Sequence, residues 1–242
     1  MKKNIGLVIA IILILALIGY VIASNVVHAT KSVQNPIVTM EVENFGTVKI
    51  ELYPDIAPNT VANFISLINE GYYDGLTFHR AVEGFMVQGG DKEGTGSGKV
   101  AQTIKGEFFE NGYEKNTLRH DRGVISMARS DYSSLGLVQE GYNSAFSQFF
   151  IMTDNNTSVN GYYAGFGKVI EGMDVVDAIS KVESIQEKDD STSNTESDKD
   201  TTNNPKITKM TVETFGVNYG TPQRQEAFDV NSYLMKLYGL SI

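Results

Sequence analysis

Two short stretches concentrate side chains that could act on a polypeptide: "FHRAVEGFMVQGGD", residues 78–91, and "SQFFIM", residues 147–152. The first joins Arg80 to the apolar pair Phe85 and Met86 and then to Gln88, while the second sets Gln148 beside Phe149 and Phe150. Side chains two apart along a strand share a face. Met86 therefore sides with Gln88, and Gln148 with Phe150, which leaves Phe149 and Ile151 for the opposite face. Each strand offers an amide next to an apolar group. That is poor equipment for cleaving a bond and good equipment for holding a short peptide; a β-face with incidental glutamines fits the same pattern.

Other chemistries lack a complete set of parts. "GTGSGK", residues 94–99, resembles a phosphate loop, but Glu93 stands where the first glycine is required and Val100 where Ser or Thr is required. His28, His79 and His120 lie far apart and none has an HExxH companion, so neither a metal nor another cofactor is expected. No GxSxG elbow surrounds a serine. The chain has no cysteine, which removes disulfides, thiolate metal sites and thiol nucleophiles. A formal net charge of -9 with no basic stripe argues against a nucleic-acid partner, because phosphate neutralisation needs clustered Lys and Arg.

The elements that must hold these residues are mostly strands. "IVTMEVENFGTVKIELYP", residues 37–54, places two alternating runs around Asn44-Phe45-Gly46, the pattern of an antiparallel pair. "APNTVANFISLINEGYYD", residues 57–74, has Val61, Phe64, Ile65 and Ile68 at helical spacing and Gly71 as a stop. Further strands are expected at 77–82, 85–88, 123–129, 148–153 and 165–170, with a late one in "KITKMTVETF", residues 206–215. "GMDVVDAISKV", residues 172–182, sets Val175, Val176, Ile179 and Val182 on one helical face. The expected fold is mainly β: a closed eight-stranded antiparallel β-barrel with two helices, occupying residues 37–220.

The flanks differ in composition. Lys2 and Lys3 precede a nineteen-residue apolar run, residues 5–23, which as a helix spans roughly 28 Å, close to the thickness of a hydrocarbon core. An N-terminal hydrophobic helix is expected there, an uncleaved anchor followed by a tether to residue 36. A signal peptide cut near Val27-His28-Ala29 is the competing reading. Either places the domain outside the cytoplasm, membrane-anchored or secreted, by the positive-inside rule. Residues 183–205 carry seven acidic residues, two lysines and one aliphatic residue, Ile185, too little apolar surface to order the segment, so a solvated insertion is expected. The tail, residues 221–242, reads as an amphipathic helix docked on its own barrel.

"FHRAVEGFMVQGGD", "GVISMAR" (123–129), "SQFFI" (147–151) and "FGKVIEGMDVV" (166–176) stand in the order, and at roughly the spacing, of the cyclophilin family of peptidyl-prolyl cis-trans isomerases. The chain resembles that family over about residues 37–216, and "IKGEF" followed by "LRHDRGVISMAR" is most similar to bacterial members. The resemblance implies a barrel closed by two helices with an active groove on its outer surface, and a reaction that breaks no covalent bond. It implies Arg80 as the catalytic group, Phe85, Met86 and Phe150 as the proline pocket, and Gln88 and Gln148 as groups orienting the peptide backbone. Ala128 and the backbone of Arg129 complete the groove edge, and His79 is a structural strand residue.

In "TSVNGYYAGFG", residues 157–167, the chain departs from the family pattern. Val159 falls where leucine is usual and Tyr163 where many members have histidine; both can still wall an apolar pocket. Ser158 stands where many have the tryptophan associated with cyclosporin binding, so weak cyclosporin binding is expected. Residues 130–146 are longer than the family's shortest versions, and substrate choice is expected to differ there. Together these imply an isomerase acting on proline-containing polypeptides and assisting the folding of exported proteins. The alternative is a proline-peptide binding or chaperone module, or a membrane-anchored scaffold, with little turnover.

Overall fold

The computed structural model describes residues 12–17, 34–185 and 203–239. Residues 12–17 are helical; the rest of the expected hydrophobic helix, and residues 186–202 of the acidic insertion, lie outside the described residues. Among the described residues no helix is long and apolar enough to cross a membrane.

The first hairpin forms as its alternation requires. Strand β1 (Ile37–Val42) buries Val38, Met40 and Val42, and β2 (Gly46–Leu52) buries Val48, Ile50 and Leu52. Asn44, at φ 63°, makes the connection, in a conformation that asparagine tolerates better than most residues. Helix α1 (Pro58–Asn69) opens on a proline, whose missing N–H costs nothing in a first turn, and buries Val61, Phe64, Ile65, Leu67 and Ile68. Phe64 packs against Tyr73, Phe149 and Phe166 with ring centroids 5.0–5.8 Å apart, which ties α1 to the sheet.

The remaining strands are β3 (Thr77–Val82), β4 (Met86–Asp91), β5 (Gln102–Thr103), β6 (Val124–Met127), β7 (Phe149–Met152), β8 (Gly165–Glu171), β9 (Ile207–Glu213) and β10 (Gln225–Glu226). Eight of them form one antiparallel sheet in the order β3-β4-β7-β6-β8-β2-β1-β9, and β5 pairs separately with β10. The expected closed barrel is thus a curled sheet with two edges, a half-barrel. Edges β3 and β9 meet only around one isolated bridge, Thr77–Lys206, with backbone bonds such as Ile207 N–H to Leu76 O (2.8 Å). Two bulges interrupt the β3–β4 ladder within Thr77–Arg80, one with Gly90 of β4 as the extra residue and one with His79 of β3; bulges raise twist and terminate pairing, so this edge does not run along β9.

Among the described residues after 34, the α-helices beyond α1 are α2 (Val138–Tyr142), α3 (Met173–Ile179) and α4 (Val230–Leu237). Helix α3 buries Val175, Val176 and Ile179, three of the four residues its spacing selects; it ends at Ile179, and Val182 beyond it is half-buried. Two apolar clusters result. The larger holds α1, α3 and the inner sheet face, including Phe78, Ala81, Phe149 and Ile151. The smaller lies on the other face and comprises Met86, Val124, Phe150 and Met152, with Phe85, Ala128, Val159 and Tyr163 packed against it.

The tail docks mainly through the residues before α4. Arg224 donates to Asn63 Oδ1 (2.9 Å) and lies 5.3 Å from the Phe146 ring centroid, while Asn59 and Gln223 exchange bonds of 3.0 and 2.7 Å. On the face that the amphipathic reading would dock, Val230, Tyr233 and Leu234 are half-buried, whereas Leu237 and Tyr238 at its far end are 61% and 71% exposed, so only the start of α4 is covered.

Candidate active site

The bulge in β3 sets the geometry of the site. Phe78 pairs with Gly89, and Arg80 with Gln88, so β3 advances two residues while β4 advances one. The extra residue shifts the side-chain alternation. Phe78 and Ala81 enter the larger core, whereas Arg80 is half-buried and its Nη1 donates to Gln88 Oε1 at 3.3 Å. The polar file continues across the sheet. Gln88 Nε2 donates to Gln148 Oε1 (2.9 Å), and Gln148 Nε2 donates to the carbonyl of Gly96 (3.0 Å).

Gly96 is itself held by a carboxylate. Asp91, buried at the end of β4, accepts backbone N–H bonds from Gly96 (2.7 Å), Thr95 (3.0 Å), Glu93 (3.3 Å) and Gly98 (3.3 Å). The glycine-rich segment that resembles a phosphate loop therefore wraps an anion supplied by the chain. Burial alone would raise the Asp91 carboxyl, but the N–H groups of Gly96, Glu93 and Thr95, with the nearby His79, outweigh it and hold the group below its ordinary value.

Beside this polar file lies an apolar floor. Gln88 pairs with Phe150 across β4 and β7, so the amide and the ring are neighbours. Phe150 is 5% exposed and is braced from two sides. Tyr163 meets it edge-on at 5.5 Å, and the His120 ring stacks on it at 6.0 Å with an interplanar angle of 18°. His120 is fixed in turn by Asn160 Oδ1 at Nδ1 (3.2 Å) and Ser126 Oγ at Nε2 (3.1 Å). Burial lowers the His120 pKa, against the smaller opposing effects of Asn160 and Asp121.

All ten residues expected at the site come together. Arg80, Gln88 and Gln148 form the polar file. Phe85, Met86, Phe150, Ala128, Val159 and Tyr163 share the smaller apolar cluster. Arg129 joins them by its side chain: the guanidinium lies 4.6 Å from the Tyr163 ring centroid and 4.8 Å from that of Tyr142, and Nε donates to Tyr162 O (3.1 Å). His79 stays outside this set, buried in β3. Ser158 is exposed in a 3-10 turn, where its N–H and hydroxyl both donate to Asn156 Oδ1. Sequence reasoning missed the bracing of Phe150 by His120, Ser126 and Asn160. No periodicity links these positions: pairing of β6 with β7 sets Ser126 opposite Phe150, and the loop residues His120 and Asn160 are joined by the bond from His120 N–H to Asn160 Oδ1 (2.7 Å).

Comparison with known proteins agrees with this arrangement. Residues 37–212 match the family described as cyclophilin type peptidyl-prolyl cis-trans isomerase/CLD. The chain is 41% identical over 145 residues to peptidyl-prolyl cis-trans isomerase B of Bacillus subtilis, covering 60% of this chain and 91% of that protein. It is 42% identical over 141 residues to peptidyl-prolyl cis-trans isomerase CYP18-1 of Arabidopsis thaliana, covering 58% and 80%. Among solved structures, a Cryptosporidium parvum cyclophilin-type isomerase crystallised in the presence of the dipeptide Ala-Pro superposes with a TM-score of 0.56 at 27% identity, over 73% of this chain and 98% of that one. A curled β-sheet carrying an arginine and two glutamines beside an apolar floor, matched along its length to these proteins, places the chain in the cyclophilin-type peptidyl-prolyl cis-trans isomerase family, and it is an enzyme of that class.

Proposed function

We propose that the groove between the polar file and the Phe150 floor is where this isomerase rotates X-Pro bonds, and that its substrates are exported polypeptides. The observation that carries the reading is the direct sequence Arg80–Gln88–Gln148 alongside Met86 and Phe150. A prolyl ring seats on Met86, Phe85 and Phe150 with Val159 and Tyr163 as walls. Gln88 and Gln148 hold the peptide backbone, and Ala128 with Arg129 closes the edge.

The energetics assign each part a share. Rotation about an X-Pro bond meets a barrier of about 18–20 kcal/mol, because the nitrogen lone pair is delocalised into the carbonyl. A barrier near 20 kcal/mol gives roughly 0.01 per second, and reaching about 1,000 per second requires removing some 6–7 kcal/mol. Arg80 donates to the prolyl nitrogen as it becomes pyramidal, which localises the lone pair and weakens the partial double bond. Arginine suits this because it stays charged and presents fixed donors. One charge-assisted hydrogen bond supplies about 1.5–3 kcal/mol. The rest comes from binding the twisted peptide against Phe150 and Met86, away from water.

The apolar run at residues 5–23 supports placement of the domain on the outer side of a membrane, held there as an anchor or released after cleavage. The assay is isomerisation of a short Ala-Pro peptide by residues 32–242. Turnover that requires Arg80 supports the proposal; binding without turnover refutes it. Fractionation of expressing cells, with protease added outside, tests the location. Protection of the domain from that protease in intact cells refutes export.

A further inference from the structure

The C-terminal tail builds part of a cavity that opens beside the proposed proline site. This cavity, about 510 Å³, has Gln88, Ala128, Arg129 and Gln148 on one side and residues 227–231 of the tail on the other. Such a volume falls in the range of roughly 300–1,000 Å³ typical of ligand pockets. Gln88 and Gln148 belong to both spaces, so a polypeptide with its proline on Phe150 continues from one into the other. Thr103, Ser130, Ser144 and Ser147 give the cavity a largely polar lining.

The tail is held at this position by its own contacts. Strand β10 pairs with β5, and Ala227 N–H donates to Ala101 O at 3.0 Å. Phe228 packs against Tyr132, with ring centroids 6.1 Å apart. Asp229 accepts from the N–H groups of Asn231 and Ser232, both at 3.1 Å, and from the Ser232 hydroxyl at 2.6 Å, which starts α4 at the cavity rim. Residues 227–231 lie beyond the 37–212 region that matches the family, so this wall is a feature of the chain's own extension. It meets the segment of residues 130–146 whose length already departs from the shortest family pattern.

We infer that residues 227–231 form the outer wall of a groove for substrate residues flanking the isomerised bond, so that the tail makes the enzyme selective for prolines embedded in an extended, polar stretch of polypeptide. The inference rests on the assignment of the proline site to Phe150 and Arg80. The occupant is a substrate chain, because Gln88 and Gln148 line both the cavity and that site.

The test compares two kinds of substrate, a blocked tetrapeptide containing Ala-Pro and three peptides with the same Ala-Pro centre extended by four polar residues on the N-terminal side, the C-terminal side or both. The full chain, a deletion of residues 227–242 that leaves β10 in place, and Phe228→Ala are assayed. The ratio of kcat/KM for the better extended peptide to that for the tetrapeptide is expected to fall about tenfold in the variants, chiefly through KM, as for loss of one anchoring contact. An unchanged ratio, including a parallel loss on both substrates, overturns the inference. A raised ratio also overturns it, since the tail would then obstruct the groove. If the deletion does not fold, the Phe228→Ala ratio decides. Arg80→Ala measured alongside separates the two levels: normal tetrapeptide turnover in that variant refutes the site assignment, whereas lost turnover with an unchanged ratio refutes only the role of the tail.

Discussion

Replacing Arg80 by alanine should cut catalysis about 100-fold while leaving the fold in place. In the free enzyme Arg80 Nη1 sits 3.3 Å from Gln88 Oε1, beyond the usual 2.7–3.2 Å for N–H···O, and the side chain is half-buried. That contact contributes at most about 0.5–1 kcal/mol to stability, because Gln88 keeps its bond to Gln148 and its freed oxygen faces an open groove. The transition state loses more. A charge-assisted donor aimed at a developing lone pair is worth about 1.5–3 kcal/mol, and a loss near 2.7 kcal/mol is about 100-fold in kcat/KM. Arg80→Lys keeps the charge but loses the planar fork, and should fall between the two. The assay is isomerisation of a short Ala-Pro peptide, with the urea midpoint of each variant measured in parallel. Arg80→Ala turnover within threefold of the unsubstituted protein would remove the arginine from the mechanism. A 100-fold loss accompanied by unfolding would refute the view that Arg80 serves the groove rather than the fold.

Three further outcomes follow from the surroundings of the groove. Burial lowers the His120 pKa, so its contribution to stability is complete above the unfolded value of about 6.5 and is lost as pH falls through the folded value; His120→Gln should flatten the fall in urea midpoint below about pH 6.5, and an unchanged slope would refute this. A methyl group at Gly98 would collide with the Asp91 carboxylate, so Gly98→Ala should cost about 1–3 kcal/mol and raise KM by loosening the Gly96 carbonyl that holds Gln148; wild-type KM and melting would show that the loop yields freely. Ser158→Trp adds about 50–100 Å² of apolar contact at an exposed position, which should tighten cyclosporin binding by roughly 10- to 100-fold in calorimetry with little change in peptide turnover; tight binding by the unsubstituted protein, or no gain from the indole, would refute the alignment of this segment.

The sequence by itself determined the parts of the site that depend on alternation within one strand. Phe149 and Phe150 are adjacent yet enter different clusters, as side-chain parity on β7 requires, and Met86 and Gln88 flank one groove for the same reason. The hairpin and the buried faces of α1 and α3 were equally legible, because local spacing fixes which side of an element is apolar. The family motifs then named the site residues. Tertiary structure alone decided what depends on irregularity or on contacts across the chain. Counting by twos from Phe78 would bury Arg80 in the core; the bulge at His79 turns it to the groove, and no residue type announces a bulge. The sheet stays open because β3 and β9 share only a short run of bonds, a consequence of accumulated twist that composition does not carry. His120 lies 30 residues from Phe150 in the chain, and the tail at 227–231 lies 79 or more residues beyond Gln148; strand pairing and the β5–β10 ladder bring them to the site, and such long-range packing is a property of the folded chain rather than of any segment of it.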